Sequence, residues 1–176
     1  MRRVTSDLMA RWVLANSIAG VSDTIILGRI RLSADLIATA GAVGIMQGLA
    51  LRWPIRLVTA WMLATAAGGL LGGVVGGGLR AAVGGRLGFA AGLIAFGAAV
   101  GIAQVLAPKR QIPTSGWWIL ANAAASILGG VAGHETFERL GGIVGAVAGR
   151  VVGGAVNGGV TGLILTQLPQ NSAGEK

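Results

Sequence analysis

The chain of 176 residues has no cysteine, one histidine, six acidic residues and only 11% charged positions. Without cysteine there are no disulfides, thiolate metal sites or cysteine nucleophiles, and the redox compartment stays undetermined. No histidine accompanies a serine or threonine inside an apolar run, and no carboxylate pair sits in one. The groups that nucleophilic or acid–base catalysis needs are therefore missing, and the sequence reads as non-enzymatic, with no cofactor and no metal. His134, beside Glu135 and Glu138, reads as part of a solvated helix end. A metal site converges several ligands with outer-shell support, so a metal or pigment ligand is the weaker alternative there.

What the chain has in quantity is apolar residues, 53%, and 32 glycines, with a mean hydropathy of +0.74. Long apolar runs bounded by Arg and Lys indicate an all-α polytopic membrane protein, in which glycine is common. The net charge of +8 would suggest nucleic acid in a soluble domain. Here the basic residues sit at the ends of apolar runs, where they act as topology signals; no nucleic-acid partner is expected. Gly-x-Gly-x-x-Gly matches are inevitable in such a chain. With no strand before them and no acidic residue at the required distance after them, they do not indicate dinucleotide binding.

The runs repeat. One offset of 57 positions carries Val43 onto Val100, Gly44 onto Gly101, Gln47 onto Gln104, Trp61 onto Trp118 and Gly72 onto Gly129, and it carries Gly101 and Gln104 onto Gly158 and Thr161. Such self-similarity marks tandem duplication. Three units follow, 12–52, 61–109 and 118–166, within one transmembrane domain that ends in a polar tail at 169–176. Six spans are expected: about 12–28, 34–51, 57–79, 87–107, 117–133 and one within 140–168. Each unit is a helical hairpin with an even number of crossings, so all three are parallel and related by an axis along the membrane normal. Because the motif Trp12–Asn16 returns inside the chain, the N-terminal run reads as a retained helix rather than a cleaved signal. Eight basic residues fall on the side of the termini and five on the other, with Arg150 inside the last span. That bias puts both termini in the cytoplasm of a bacterium, with the protein in its inner membrane.

Each first helix carries a polar residue four positions after its tryptophan: Asn16, Thr65 and Asn122. Each second helix carries one near its basic end: Gln47, Gln104 and Thr161. The rise of a helix puts all six at one depth, and an unpartnered amide costs several kcal/mol in hydrocarbon, so these side chains are expected to face one another. The expected pairs are Asn16 with Gln47 or Thr65 with Gln104. Such a polar layer acts either as interhelical glue or as a binding or selectivity site on the axis, open to the cytoplasm. Two residues break the repeat with charge: Asp23 stands where its counterparts are Gly72 and Gly129, and Arg150 where its counterpart is Leu93. Intramembrane charge is expensive unless paired. An ion pair between Asp23 and Arg150 is therefore expected, which makes the first and last helices neighbours and closes a ring. The alternatives for Arg150 are snorkelling, or pairing with Glu135 or Glu138.

Stripes of glycine four apart, such as Gly141, Gly145, Gly149 and Gly153, predict close helix packing, the alternative being a zipper lining an oligomeric pore. Trp12, Trp53, Trp61, Trp117 and Trp118 all fall at the same ends of the spans, as an interfacial aromatic belt does. The pattern W-x-L-A-N, then G-x-x-Q before basic residues, then G-W-W-x-L-A-N resembles a group of uncharacterised bacterial integral membrane proteins, cyanobacterial and Chloroflexi-like. In that group the pattern continues Gln-Trp-Leu-x-Leu-Arg-Arg. Here Gly48 and Val105 follow the two glutamines and Thr161 replaces the third. The resemblance implies the architecture and no activity. The expected role is a non-enzymatic structural or accessory subunit, with the bilayer and other membrane subunits or further copies of itself as partners. The alternative is a small transporter or channel, and water-accessible volume reaching Gln47, Gln104 and Asn122 discriminates the two.

Overall fold

The computed structural model describes residues 2–26, 32–107 and 116–167, and side chains in 6–19, 39–107 and 116–167. All regular structure among them is α-helical: α1 (Arg2–Ile26), α2 (Leu32–Ala50), α3 (Ile55–Val83), α4 (Gly85–Leu106), α5 (Gly116–Leu140) and α6 (Gly142–Gln167). Four of these, α3 to α6, are long and apolar enough to cross a membrane. Each helix packs on its neighbours in the chain, and α1 also packs on α6. Among the described residues no other pair touches, so the six form a closed ring around a central axis.

Local chemistry sets the corners. After α2, Arg52 takes a left-handed φ of 55° while its N–H bonds Leu49 O and that of Trp53 bonds Gly48 O. This pair of bonds closes the helix in a Schellman motif, and Pro54 then starts α3. The turns α3–α4 and α5–α6 each need two consecutive left-handed residues, Gly84 and Gly85 (φ 70° and 55°) and Gly141 and Gly142 (φ 63° and 53°). Glycine alone adopts that pair without strain. Gly84 and Gly85 fall between the third and fourth expected spans, whereas Gly141 and Gly142 lie later than the expected end of the fifth span at 133. His134, Glu135, Glu138 and Arg139 do not form a turn; they belong to the last turns of α5, and Arg139 lies 3.9 Å from Glu135 across an exposed i,i+4 pair. Nothing halts a helix at a charged residue when the chain-reversing glycines stand further on.

Side-chain-free stripes set the helix spacing. A methyl group at Gly76 would meet Gly92 O at 2.5 Å, and one at Gly133 would meet Gly149 O at 2.7 Å. Residue numbers in the second contact exceed those in the first by the repeat offset, so α3–α4 and α5–α6 share one register. The corners between hairpins also match: Gly44 lies against Met62 Cα, Gly101 against Ile119 Cα and Gly158 against Val13 Cα, each opposite the residue after a tryptophan. Bilayer helices associate by such packing rather than by water exclusion. Gly76→Ala must push two backbones apart, an overpacking cost of about 1–3 kcal/mol. Gly77→Ala, with open space around its site, instead gains up to about 1 kcal/mol of helix propensity. Thermal melting of the purified protein should thus fall for Gly76→Ala and hold or rise for Gly77→Ala.

Candidate functional site

At the end of the ring where α1, α3 and α5 begin their apolar runs, Trp12, Trp61 and Trp118 turn inward. They are 0%, 4% and 1% exposed. Trp12 and Trp61 each have their ring 6.3 Å from that of Trp118, and Ala15, Ala50 and Leu165 complete the cluster. This corrects the expectation of an aromatic belt. Three of the five tryptophans form the core, Trp53 stacks edge-on against Trp61 at 5.3 Å, and Trp117 alone is largely exposed, at 68%. Spacing told which end they occupy and could not tell which face, because Trp117 and Trp118 are adjacent and one must point away from the other.

A buried indole carries an N–H that needs an acceptor. Trp61 Nε1 donates to Gln47 Oε1 and Trp118 Nε1 donates to Gln104 Oε1, both at 2.9 Å and both across 14 residues of sequence. Trp12 Nε1 donates to Thr161 Oγ1 at 2.9 Å, joining α1 to α6. The amides then reach the next helix: Gln47 Nε2 donates to Asn16 Oδ1 at 3.0 Å, and Gln104 Nε2 to Thr65 Oγ1 at 3.0 Å. A longer contact of 3.4 Å runs from Gln104 Nε2 to Gln47 Oε1. Asn16 and Asn122 Nδ2 each donate to the carbonyl oxygen of their own tryptophan, as does Thr65 Oγ1. All six polar residues are buried and belong to one layer; four of them, Asn16, Gln47, Gln104 and Thr65, are linked side chain to side chain, and Thr161 bonds the Trp12 indole.

Above this layer lies a cavity of about 790 Å³ along the axis. Its floor is Asn16, Gln47, Thr65 and Asn122; Val43, Leu93, Phe96 and Val100 form its apolar walls; Arg80, His134 and Arg150 stand at its far end. Since Arg80, His134 and Phe137 are exposed, the cavity opens at the end of the glycine turns. This corrects the expectation of a site open toward the termini: the indole cluster seals that side, and Gln104 lies in the layer without lining the cavity. At the mouth the Arg80 guanidinium lies 5.1 Å from the centre of the Phe89 ring, which packs on His134. Among the described residues no group of His and carboxylates is placed to hold a metal. Arg150 lines the cavity from α6 and is engaged within the chain. The side chain of Asp23 lies outside the described residues, so the expected pair of these two is not described.

Three cavity residues have no place in the sequence reading. Ser126 and Asn157 line the walls, and Thr39 Oγ1 is buried there with no hydrogen-bond partner among the described residues. A signal for the first two existed. Ser126 stands where the other units have Gly20 and Gly69, and Asn157 where they have Val43 and Val100. Comparison with known proteins gave no matching family model, no matching curated protein and no matching solved structure.

Gln104 makes three interhelical bonds, whereas the one bond of Asn122 stays within α5. At about 0.6 kcal/mol per interhelical bond in a bilayer, Gln104→Leu should cost about 2 kcal/mol and Asn122→Leu distinctly less. Melting in detergent should rank the two variants in that order, and equal losses would show that the bonds of the layer do not contribute independently.

Proposed function

We propose that this chain is a bacterial inner-membrane protein that crosses the bilayer six times, as three parallel hairpins, 12–52, 61–109 and 118–166, about one axis. On this reading both termini are cytoplasmic and the central cavity takes up a small solute from the opposite side, as the binding chamber of a small transporter or channel. The observation that carries the reading is the cavity itself. Its volume falls in the range of small-molecule sites, and it combines apolar walls with a few convergent polar groups, the usual composition of such sites. A purely structural subunit gains nothing from it, because an unfilled centre forfeits packing on every wall.

The role of a non-enzymatic accessory subunit retains one supporting observation. Exposed Leu71, Val74, Leu128 and Leu163 give the ring an apolar outside that suits lipid and suits equally a neighbouring subunit. Both readings share the membrane and the absence of chemistry; they differ in whether solvent enters the ring. The natural absence of cysteine makes the test direct. Ser126→Cys in right-side-out vesicles should react with an anionic methanethiosulfonate added outside and not with reagent confined to the lumen. Ala15→Cys, inside the indole cluster, should react from neither side. A Ser126→Cys protein inert from both sides would remove the solute-binding reading and leave the accessory role.

A further inference from the structure

The three units differ most where they face the cavity, and the differences gather in the third. In the first two units a glutamine amide occupies the side-chain oxygen of the hairpin partner, Gln47 on Asn16 and Gln104 on Thr65. The third unit has Thr161 in the glutamine position. Its hydroxyl accepts the Trp12 indole and donates to Asn157 O at 2.8 Å, and its side chain ends there. Asn122 is 6% exposed and its Nδ2 is bonded to Trp118 O, but its Oδ1 has no partner among the described residues and lies on the cavity floor. One turn above it on α5 is Ser126, and across on α6 is Asn157, whose Cβ neighbours Gly129. Neither of these side chains has a hydrogen-bond partner among the described residues. They replace Gly20 and Gly69, and Val43 and Val100, of the other units. Three departures from the repeat thus leave one acceptor free and add two further polar groups on one side of a cavity that Val43 and Val100 also line.

We propose that this wall is a binding site for the polar head of an uncharged amphiphile that carries a hydroxyl donor, the apolar body lying between Leu93, Phe96 and Val100. The inference rests on the solute-binding reading and names the class of solute. A donor is required because a ligand that covers the Asn122 carbonyl oxygen displaces water from it, which costs free energy unless the ligand donates in turn, and a ketone or ether cannot. The head can also accept, from Ser126 Oγ or from Asn157 Nδ2, which a hydroxyl does at the same time. Charge is disfavoured because the floor offers no counter-ion to a desolvated anion or cation, and the arginines at the mouth repel a cation before it enters.

The test uses the full chain in lipid nanodiscs, with Trp53→Phe and Trp117→Phe in the background so that fluorescence comes from the three indoles beneath the floor. The probes are 4-bromophenol, uncharged at neutral pH, and 4-bromoanisole, which has the same heavy-atom quencher and no donor. The phenol should quench saturably and bind at least tenfold more tightly than the anisole. Thr161→Gln supplies the missing amide, which by the geometry of the other two units reaches Asn122 Oδ1 and accepts the Trp12 indole. Asn157→Val likewise restores the repeat. Each should retain or raise the melting temperature and weaken the phenol at least tenfold. Equal binding of phenol and anisole, or undiminished phenol binding in both folded variants, overturns the proposal. If neither probe quenches while Ser126→Cys still reacts with external reagent, the hydroxyl site is refuted and the open cavity stands.

Discussion

Three buried indole N–H groups impose the plan of this molecule. An indole turned into a core from which water is excluded must donate to something, and its oxygen partner must come from another helix because the carbonyls of its own are taken. Trp61 and Trp118 meet this need with a glutamine from the preceding hairpin, and Trp12 with Thr161 of the last. Each bond therefore crosses a boundary between hairpins. The bonds from Gln47 to Asn16 and from Gln104 to Thr65 run within a hairpin. Alternation of the two kinds ties each helix to the next from α1 to α5 and, through Trp12, α6 to α1; between α5 and α6 the layer has no such bond among the described residues.

Glycine makes that geometry reachable. A glutamine amide spans the gap between two helices only if their backbones are close, and the methyl-free positions hold them there. Gly44 and Gly101 pack against the residues that follow Trp61 and Trp118, one turn from the glutamines. The same closeness fixes the diameter of the ring. Six helices in edge contact leave an axial space that only large side chains fill, and indoles fill it at one end alone. Toward the other end no indole lies among the lining residues, and the space opens into the cavity. Seal and chamber are two consequences of one residue distribution along the axis.

Depth was readable from the sequence, and the facing of the tryptophans was not. Asn16, Gln47, Thr65, Gln104, Asn122 and Thr161 share a register because spacing from a tryptophan or a basic end fixes height in a helix, and the side chains lie at one level. Which way an aromatic residue points at that height depends on the helix rotation, which neighbouring Trp117 and Trp118 leave undecided. The end of α5 was misjudged for a related reason. Charge at His134 to Arg139 resembles a turn by composition, yet the chain reverses only where two glycines can take left-handed φ, at Gly141 and Gly142. The chamber was invisible from composition, since an absent side chain leaves no mark in a sequence other than glycine, and glycine serves packing as readily as space.

Symmetry makes the remaining argument. Where all three units agree, a residue answers a need that all three corners have, and the tryptophans and the glycines opposite them are of this kind. Where one unit departs at a buried, inward position, the fold alone does not ask for the change, because two copies hold together without it. Val43 and Val100 show that an apolar residue suits the wall at the height of Asn157, and Gly69 shows that no hydroxyl is needed at the height of Ser126. Those groups line the open cavity and have no hydrogen-bond partner among the described residues. Polar groups left unmatched at three sites on the same wall, around one open space, are the pattern left by something that the space receives.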